Sequence, residues 1–230
     1  MADHSSSTPT CLITGANRGI GLELVKAFLA KGFKVYATAR VPLDATELNA
    51  TGASVLPLDC SNSDSIKAFP ALLGASTTLD VLINNAAIMN AGTSSLEASA
   101  ESMLAAYQIN TVAPLLLVQG LVKNLQLSTA PKVINVTSQM GSIDDNKQGG
   151  YTSYRASKAA LNMVNKCLSI ELPDITFVAL HPGYVRTRMT SNQGTIDPDD
   201  AAGRIANLIV SLDKTSSGKF LHREGHEIPW

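Results

Sequence analysis

The sequence predicts an α/β fold: one doubly wound sheet of about seven parallel strands, flanked by helices on both faces. Three observations predict it. Short β-branched runs alternate with helix-length amphipathic segments along the chain. A glycine-rich turn sits between the first run and the first helix, where such sheets receive ligands. The chain has 230 residues, 45% of them hydrophobic and 16% charged, enough to bury a sheet on both faces and too little for two such units.

The predicted strands are 11–14 (CLIT), 34–39 (KVYATA), 54–58 (SVLPL), 81–84 (VLIN), 132–137 (KVINVT), 176–180 (TFVAL) and 219–222 (KFLH). Between them, apolar residues recurring at helical spacing predict helices at 19–31, 63–72, 100–109, 111–127, 153–172 and 199–212. Nearly every strand is followed by a helix, so right-handed crossovers give a parallel sheet with ligands at its carboxyl edge. The polar stretch at 1–9 has neither a basic start nor an apolar centre and reads as a flexible lead-in, leaving 10–230 as one domain.

Composition excludes several classes. The 18 Lys and Arg are scattered among 19 Asp and Glu for a net charge of −1, which gives no footprint for nucleic acid. Cys11, Cys60 and Cys167 are odd in number and widely spaced, neither a disulfide framework nor a metal motif, and His4, His181, His222 and His226 form no zinc pattern. No metal is expected. No stretch approaches the ~18 apolar residues of a membrane span, so a cytoplasmic address is expected.

The first chemical signal is Thr14-Gly15-Ala16-Asn17-Arg18-Gly19-Ile20-Gly21, between strand and helix. Gly15 permits the tight turn, Gly19 lets backbone approach a pyrophosphate, and Gly21 lets helix and strand pack closely. The helix N-terminus supplies free N–H groups and partial positive charge to the phosphates. A dinucleotide is the expected ligand, in a Rossmann arrangement.

Ribose selection is read at the end of the second strand, where an acidic residue would hold the 2′-hydroxyl of NAD. That strand ends in Arg40, and Arg18 in the glycine turn reaches the same space. Two guanidiniums suit a 2′-phosphate, so NADP(H) is expected over NAD(H). Read alone, Arg40 is equally a solvated charge at a strand end.

Tyr154 and Lys158 lie four apart in the predicted helix 153–172 and therefore on one face. A phenol next to an ammonium shifts toward phenolate, which suits proton exchange with an alkoxide. The spacing alone is a weak signal; the order of motifs around it is stronger. TGANRGIG, Asp59 after the third strand, Asn84-Asn85-Ala86-Ala87 after the fourth, Asn110, Ser138 after the fifth, Tyr154 with Lys158, and Pro182-Gly183 together resemble the classical short-chain dehydrogenase/reductase family. The Arg40 strand end and the closing run from Gly218 to Trp230 are similar to its sniffer-type carbonyl reductase and C-factor-like branch.

The resemblance implies a catalytic set of Asn110, Ser138, Tyr154 and Lys158. Ser138 would hold a substrate carbonyl, Tyr154 would exchange its proton, Lys158 would lower the tyrosine pKa and hold the nicotinamide ribose, and Asn110 would position a water leading to Lys158. For the cofactor it implies Gly15, Asn17, Arg18, Gly19, Ile20, Gly21 and Arg40. Asp59 would meet the adenine, the Asn85–Ala86 backbone the ribose, and Pro182, Gly183, Val185 and Thr187 the nicotinamide. Read from their positions alone, Ser138 could be a capping serine and Asn110 a helix cap or kink residue.

Two departures stand out: Ala87 replaces the family's usual glycine, and the covering segment 184–198 is short and polar, which predicts an open site with broad carbonyl tolerance. The expected activity is NADP(H)-dependent reduction of a ketone, aldehyde or quinone. Alternatives are a catalytically silent NADP(H)-binding regulator and an NAD-dependent alcohol or hydroxysteroid dehydrogenase. The expected partner is a small carbonyl compound, with helices 111–127 and 153–172 as the faces for any homo-oligomer.

Overall fold

The computed structural model describes residues 8–89 and 94–230; positions 1–7 of the predicted lead-in lie outside the described residues. Seven strands form one sheet: β1 (Thr10–Ile13), β2 (Lys34–Ala39), β3 (Ser54–Pro57), β4 (Val81–Asn84), β5 (Lys132–Val136), β6 (Thr176–His181) and β7 (Lys219–His222). Their spatial order is β3-β2-β1-β4-β5-β6-β7, every neighbour pair parallel. The chain winds outward from β1 to β3, then returns to the other side of β1 to build β4 through β7. Loops leaving β1 and β4 therefore diverge at their carboxyl ends and open a crevice there.

Successive strand residues feed opposite faces, as the two-residue period requires. Cys11, Ile13, Ile83, Ile134, Val136, Val178 and Leu180 pack against α1 (Gly19–Ala30) and α7 (Pro198–Ser211). Leu12, Leu82, Val133 and Phe177 pack on the other face, against α3 (Ser63–Leu73), α5 (Ala113–Gln126) and α6 (Thr152–Glu171). A one-turn helix α2 (Thr46–Asn49), not predicted from the sequence, adds Leu48 to the first cluster.

One prediction is corrected. The expected helices 100–109 and 111–127 are one run: α4 (Ala100–Tyr107) passes through a π-helical turn at Gln108–Val112 directly into α5. The turn is wide because the Ala113 N–H reaches back five residues to the Gln108 carbonyl. The fused run is long and apolar enough, by length and composition alone, to cross a membrane. In the fold it lays Leu117, Val118, Leu121 and Leu125 into the core.

Candidate active site

The turn after β1 is built by close approaches that admit no side chain. Gly15 has φ +63°, and a Cβ there would lie 2.8 Å from the Cα of Ala86. Gly21 sits where a Cβ would run into the Gly15 carbonyl oxygen and within 2.6 Å of the Asn85 side chain. Thr14 ties the turn to the loop after β4: its hydroxyl accepts the N–H groups of Asn85 and Ala86, each at 3.0 Å. The Asn85 amide donates to the Thr14 and Gly15 carbonyls at 2.9 and 3.2 Å. Ala87 takes no left-handed backbone angle, so its methyl group costs nothing.

Arg18 precedes α1 in extended conformation, with no side-chain cap and no acidic residue in the first turn. The leading N–H groups of that helix therefore face the crevice with their partial positive charge unshielded. Ile20 packs partly into the core, while Asn17, Arg18 and Arg40 are exposed. Asp59 accepts from the Ser61 hydroxyl at 2.6 Å and the Ser61 N–H at 2.9 Å. Those bonds, with a smaller contribution from the Arg40 charge, hold its carboxyl below the usual range.

Across the crevice, the segment after β6 returns against the same turn. The position of a Cβ at Gly19 lies 3.5 Å from the Thr187 methyl group. This segment is a compact loop closed on itself: Val185 bridges Ile196 in parallel, Arg186 pairs with Asp197 at 2.6 Å, and the Thr187 N–H donates to the Thr190 hydroxyl at 3.0 Å. Gly183, at φ +88°, leaves room for the Arg223 guanidinium, which donates to the Pro182 carbonyl at 3.2 Å.

The residues expected to handle protons meet at the end of β5. Tyr154 and Lys158 share the inner face of α6 and are 8% and 2% exposed. The Ser138 hydroxyl lies near enough to the Tyr154 phenol to draw its pKa down. Ser138 is a cap, accepting the Met140 N–H at 3.1 Å, as its position alone allowed. Burial pushes the Tyr154 phenol up to about 12, against a smaller downward pull from Ser138. Burial likewise brings the Lys158 ammonium down to about 7. The Lys158 ammonium lies 5.7 Å from the centre of the Tyr154 ring, and removal from water is the larger influence on the phenol.

Asn110 lies in the π turn and is fully buried. Its amide donates to the Ile88 carbonyl and the Ser157 hydroxyl, and its oxygen accepts the Ile88 N–H, all at 2.9 Å. The side chain is therefore a three-way tie between the loop after β4, the π turn and α6. Both amide hydrogens are engaged by protein.

The arrangement matches known proteins. A short chain dehydrogenase family model covers residues 9–197. The chain belongs to the short-chain dehydrogenase/reductase family. The fold of this short-chain dehydrogenase superposes on the Drosophila melanogaster carbonyl reductase Sniffer with TM-score 0.90 at 31% identity, covering 97% of this chain and 100% of that one. An NADPH-bound carbonyl reductase from chicken fatty liver gives TM-score 0.90 at 35% identity, covering 97% and 99%. The C-signal protein of Myxococcus xanthus is 35% identical over 66% of this chain and 93% of its own length. These similarities place the chain in the sniffer-type and C-factor-like branch.

In this dehydrogenase, several supporting residues gave no sequence signal. Thr111, next to Asn110, donates to the Ser157 carbonyl at 2.8 Å and so also fastens the π turn to α6. Beneath Lys158, an amide chain runs from Asn84 through Asn135 to Asn165 with two links of 2.9 Å, crossing from β4 through β5 to α6. Tyr151 precedes α6 in left-handed conformation (φ 49°), after Gly149 and Gly150, both at φ 66°. A bulky residue in that region is strained, and the strain sits at the site rim.

Proposed function

We propose that this chain reduces ketones, aldehydes or quinones with NADPH, and that residues 10–230 form one unit for that chemistry. The observation that carries the reading is the convergence of Ser138, Tyr154 and Lys158, all buried, at the end of β5. When bound, the cofactor supplies a hydride to the carbonyl carbon. A substrate oxygen between the two hydroxyls meets two donors, and the charge that develops on it is stabilised most strongly in a site closed to water.

Tyr154 is the general acid. Its phenol is held protonated at neutral pH by burial, which favours reduction over oxidation. Lys158, brought near neutrality, changes protonation in the working range and replenishes the tyrosine proton. Asn110 acts on this set by positioning, through Ser157 and Ile88.

The crevice residues fit a dinucleotide. The Gly15, Gly19 and Gly21 cradle and the uncapped start of α1 suit a pyrophosphate. Arg18 and Arg40, both exposed, suit a 2′-phosphate, while Asp59 is assigned to the adenine. Pro182, Gly183, Val185 and Thr187 are assigned to the nicotinamide, and the Asn85–Ala86 backbone to the ribose. Three unpaired thiols accord with a reducing cytoplasmic address.

The reading is tested by following nicotinamide absorbance with NADPH and NADH on quinones, aldehydes and ketones. NADPH-preferring turnover supports it. Tight NADPH binding with no turnover on any of them would favour a regulatory protein, and an NADH preference would overturn the cofactor assignment.

A further inference from the structure

We propose that Trp230 is a positioning residue for Ser138, strapping the turn after β5 onto the catalytic helix from the β7 side. The inference rests on the reading that Ser138 holds the substrate carbonyl. Residues 138–145 form one hydrogen-bonded unit. At its start the Gly141 N–H donates to the Ser138 carbonyl at 2.8 Å and the Met140 N–H to the Ser138 hydroxyl at 3.1 Å. In its middle, Gly141 lies so close to α6 that a Cβ would come within 2.9 Å of the carbonyl carbon of Lys158. Asn162 adds a bond from α6 to the Gly141 carbonyl at 3.3 Å.

At its end the unit converges on one atom. The main-chain oxygen of Trp230 accepts from the Ile143 N–H at 2.6 Å, the Ser142 hydroxyl at 3.0 Å and the Asp144 N–H at 3.2 Å. Ser142 is 2% exposed, and its oxygen in turn accepts the Asp145 N–H at 3.0 Å. A buried donor without this acceptor would be left unsatisfied, so the turn and Trp230 hold each other in place.

What fixes Trp230 is the edge of the sheet. Its ring stacks on Phe220 of β7, with centroids 5.5 Å apart and planes at 29°. Two residues earlier, Ile228 donates to the Phe220 carbonyl at 2.8 Å and packs on Phe220 and Ala179. The ring is 44% exposed and, among the described residues, makes no hydrogen bond or ring contact with Tyr154 or Ser138, so its effect on chemistry runs through the turn.

The test compares Trp230→Ala, which removes the stack, with Trp230→Phe, which keeps it. Trp230→Ala lowers kcat about ten-fold, the scale expected when a reacting group drifts by a fraction of an ångström. NADPH affinity, read by fluorescence, stays within about two-fold because the glycine turn lies across the sheet. Trp230→Phe restores the rate. Hydrogen exchange at the Ile143 and Asp144 amides quickens in Trp230→Ala while the start of α1 is unchanged. Wild-type kcat in Trp230→Ala, unchanged exchange at 143–144, or an equal loss of NADPH affinity overturns the strap. Should Trp230→Ala not fold, Ser142→Ala, which removes one donor, is held to the same outcomes. Ser138→Ala separates the two readings: full activity there defeats the assignment of Ser138 itself, whereas an impaired Ser138→Ala beside an indifferent Trp230→Ala defeats only the strap.

Discussion

The Lys158 ammonium donates to the carbonyl oxygen of Val136 at 2.8 Å, so α6 is pinned to the last residue of β5 by a buried charge. That charge is isolated from water and from any carboxylate among the described ion pairs. Folding therefore works against it, and the pKa falls to about 7.

Replacing it should separate stability from activity. Lys158→Met is expected to raise stability at neutral pH by about 1–3 kcal/mol, because an apolar side chain of similar length replaces a desolvated cation. The sign follows from linkage: with the folded value below the unfolded 10.5, wild-type stability rises with pH between about 7 and 10.5. The variant lacks that rise. Urea titrations at several pH values check it, and equal slopes with pH in both proteins would contradict it.

The same substitution should alter catalysis. Reduction by the wild type is expected to decline as pH passes about 7, where Lys158 loses its proton. In Lys158→Met the rate is lower throughout, and its optimum moves to higher pH because that limb is gone. A variant with wild-type rate and profile would remove Lys158 from the proton path.

Asn110→Ala leaves the Ile88 N–H and carbonyl without the partner they share. We expect a loss of about 2–3 kcal/mol in stability, since buried groups are left unpaired. A fall in kcat should accompany it, while NADPH affinity changes little. Chemical denaturation and steady-state kinetics on the same preparation check both. Unchanged stability would mean that the π turn is held by other bonds, Thr111 foremost.

Arg40→Asp introduces the acidic ribose clamp that β2 lacks. NADPH affinity should fall at least about ten-fold while NADH affinity rises, since a carboxylate repels a 2′-phosphate and accepts from a 2′-hydroxyl. Fluorescence titration with both nucleotides reads this directly. No change in the ratio would make Arg40 a surface charge and leave selection to Arg18.

At the ends of β6 and β7, His181 and His222 lie 5.4 Å apart and His222 stacks on His226 at 4.5 Å. Burial, then the charges of His222, Arg223 and His226, brings His181 down to about 3, and His222 is lowered too, burial first. Glu224 on the same turn partly offsets this at His222. The unfolded chain takes up protons first, so stability is whole above pH 6.5 and is lost as pH falls toward 3. The His181 contribution approaches roughly 1.4 kcal/mol per pH unit across that window. His181→Gln should flatten the acid limb of a stability profile; an unchanged limb would assign acid sensitivity elsewhere.

Much of this architecture was legible because it rests on local signals. The strands come within a residue of their predicted ends, since a β-branched run bounded by glycine or a polar residue has few alternatives. The glycine turn was legible down to the separate reasons for Gly15 and Gly21. Asn110 was misread as a break between helices because a polar residue in an apolar run resembles a cap, and nothing local distinguishes a π turn from one. The upward shift at Tyr154 was hidden for another reason: spacing on a helix gives proximity, whereas burial depends on what the sheet and loops place around it. Trp230 is linked to Ser142 across 88 positions, a contact that no window of sequence contains.

The central claim is that Tyr154 supplies the proton in a carbonyl reduction driven by NADPH. The most direct measurement is single-turnover NADPH oxidation by wild type and Tyr154→Phe with a quinone at saturation, paired with NADPH titration of both. The account predicts a loss of at least about 100-fold in the chemical step for the variant, with NADPH affinity within about two-fold. A Tyr154→Phe enzyme that turns over at the wild-type rate while binding NADPH normally would contradict it.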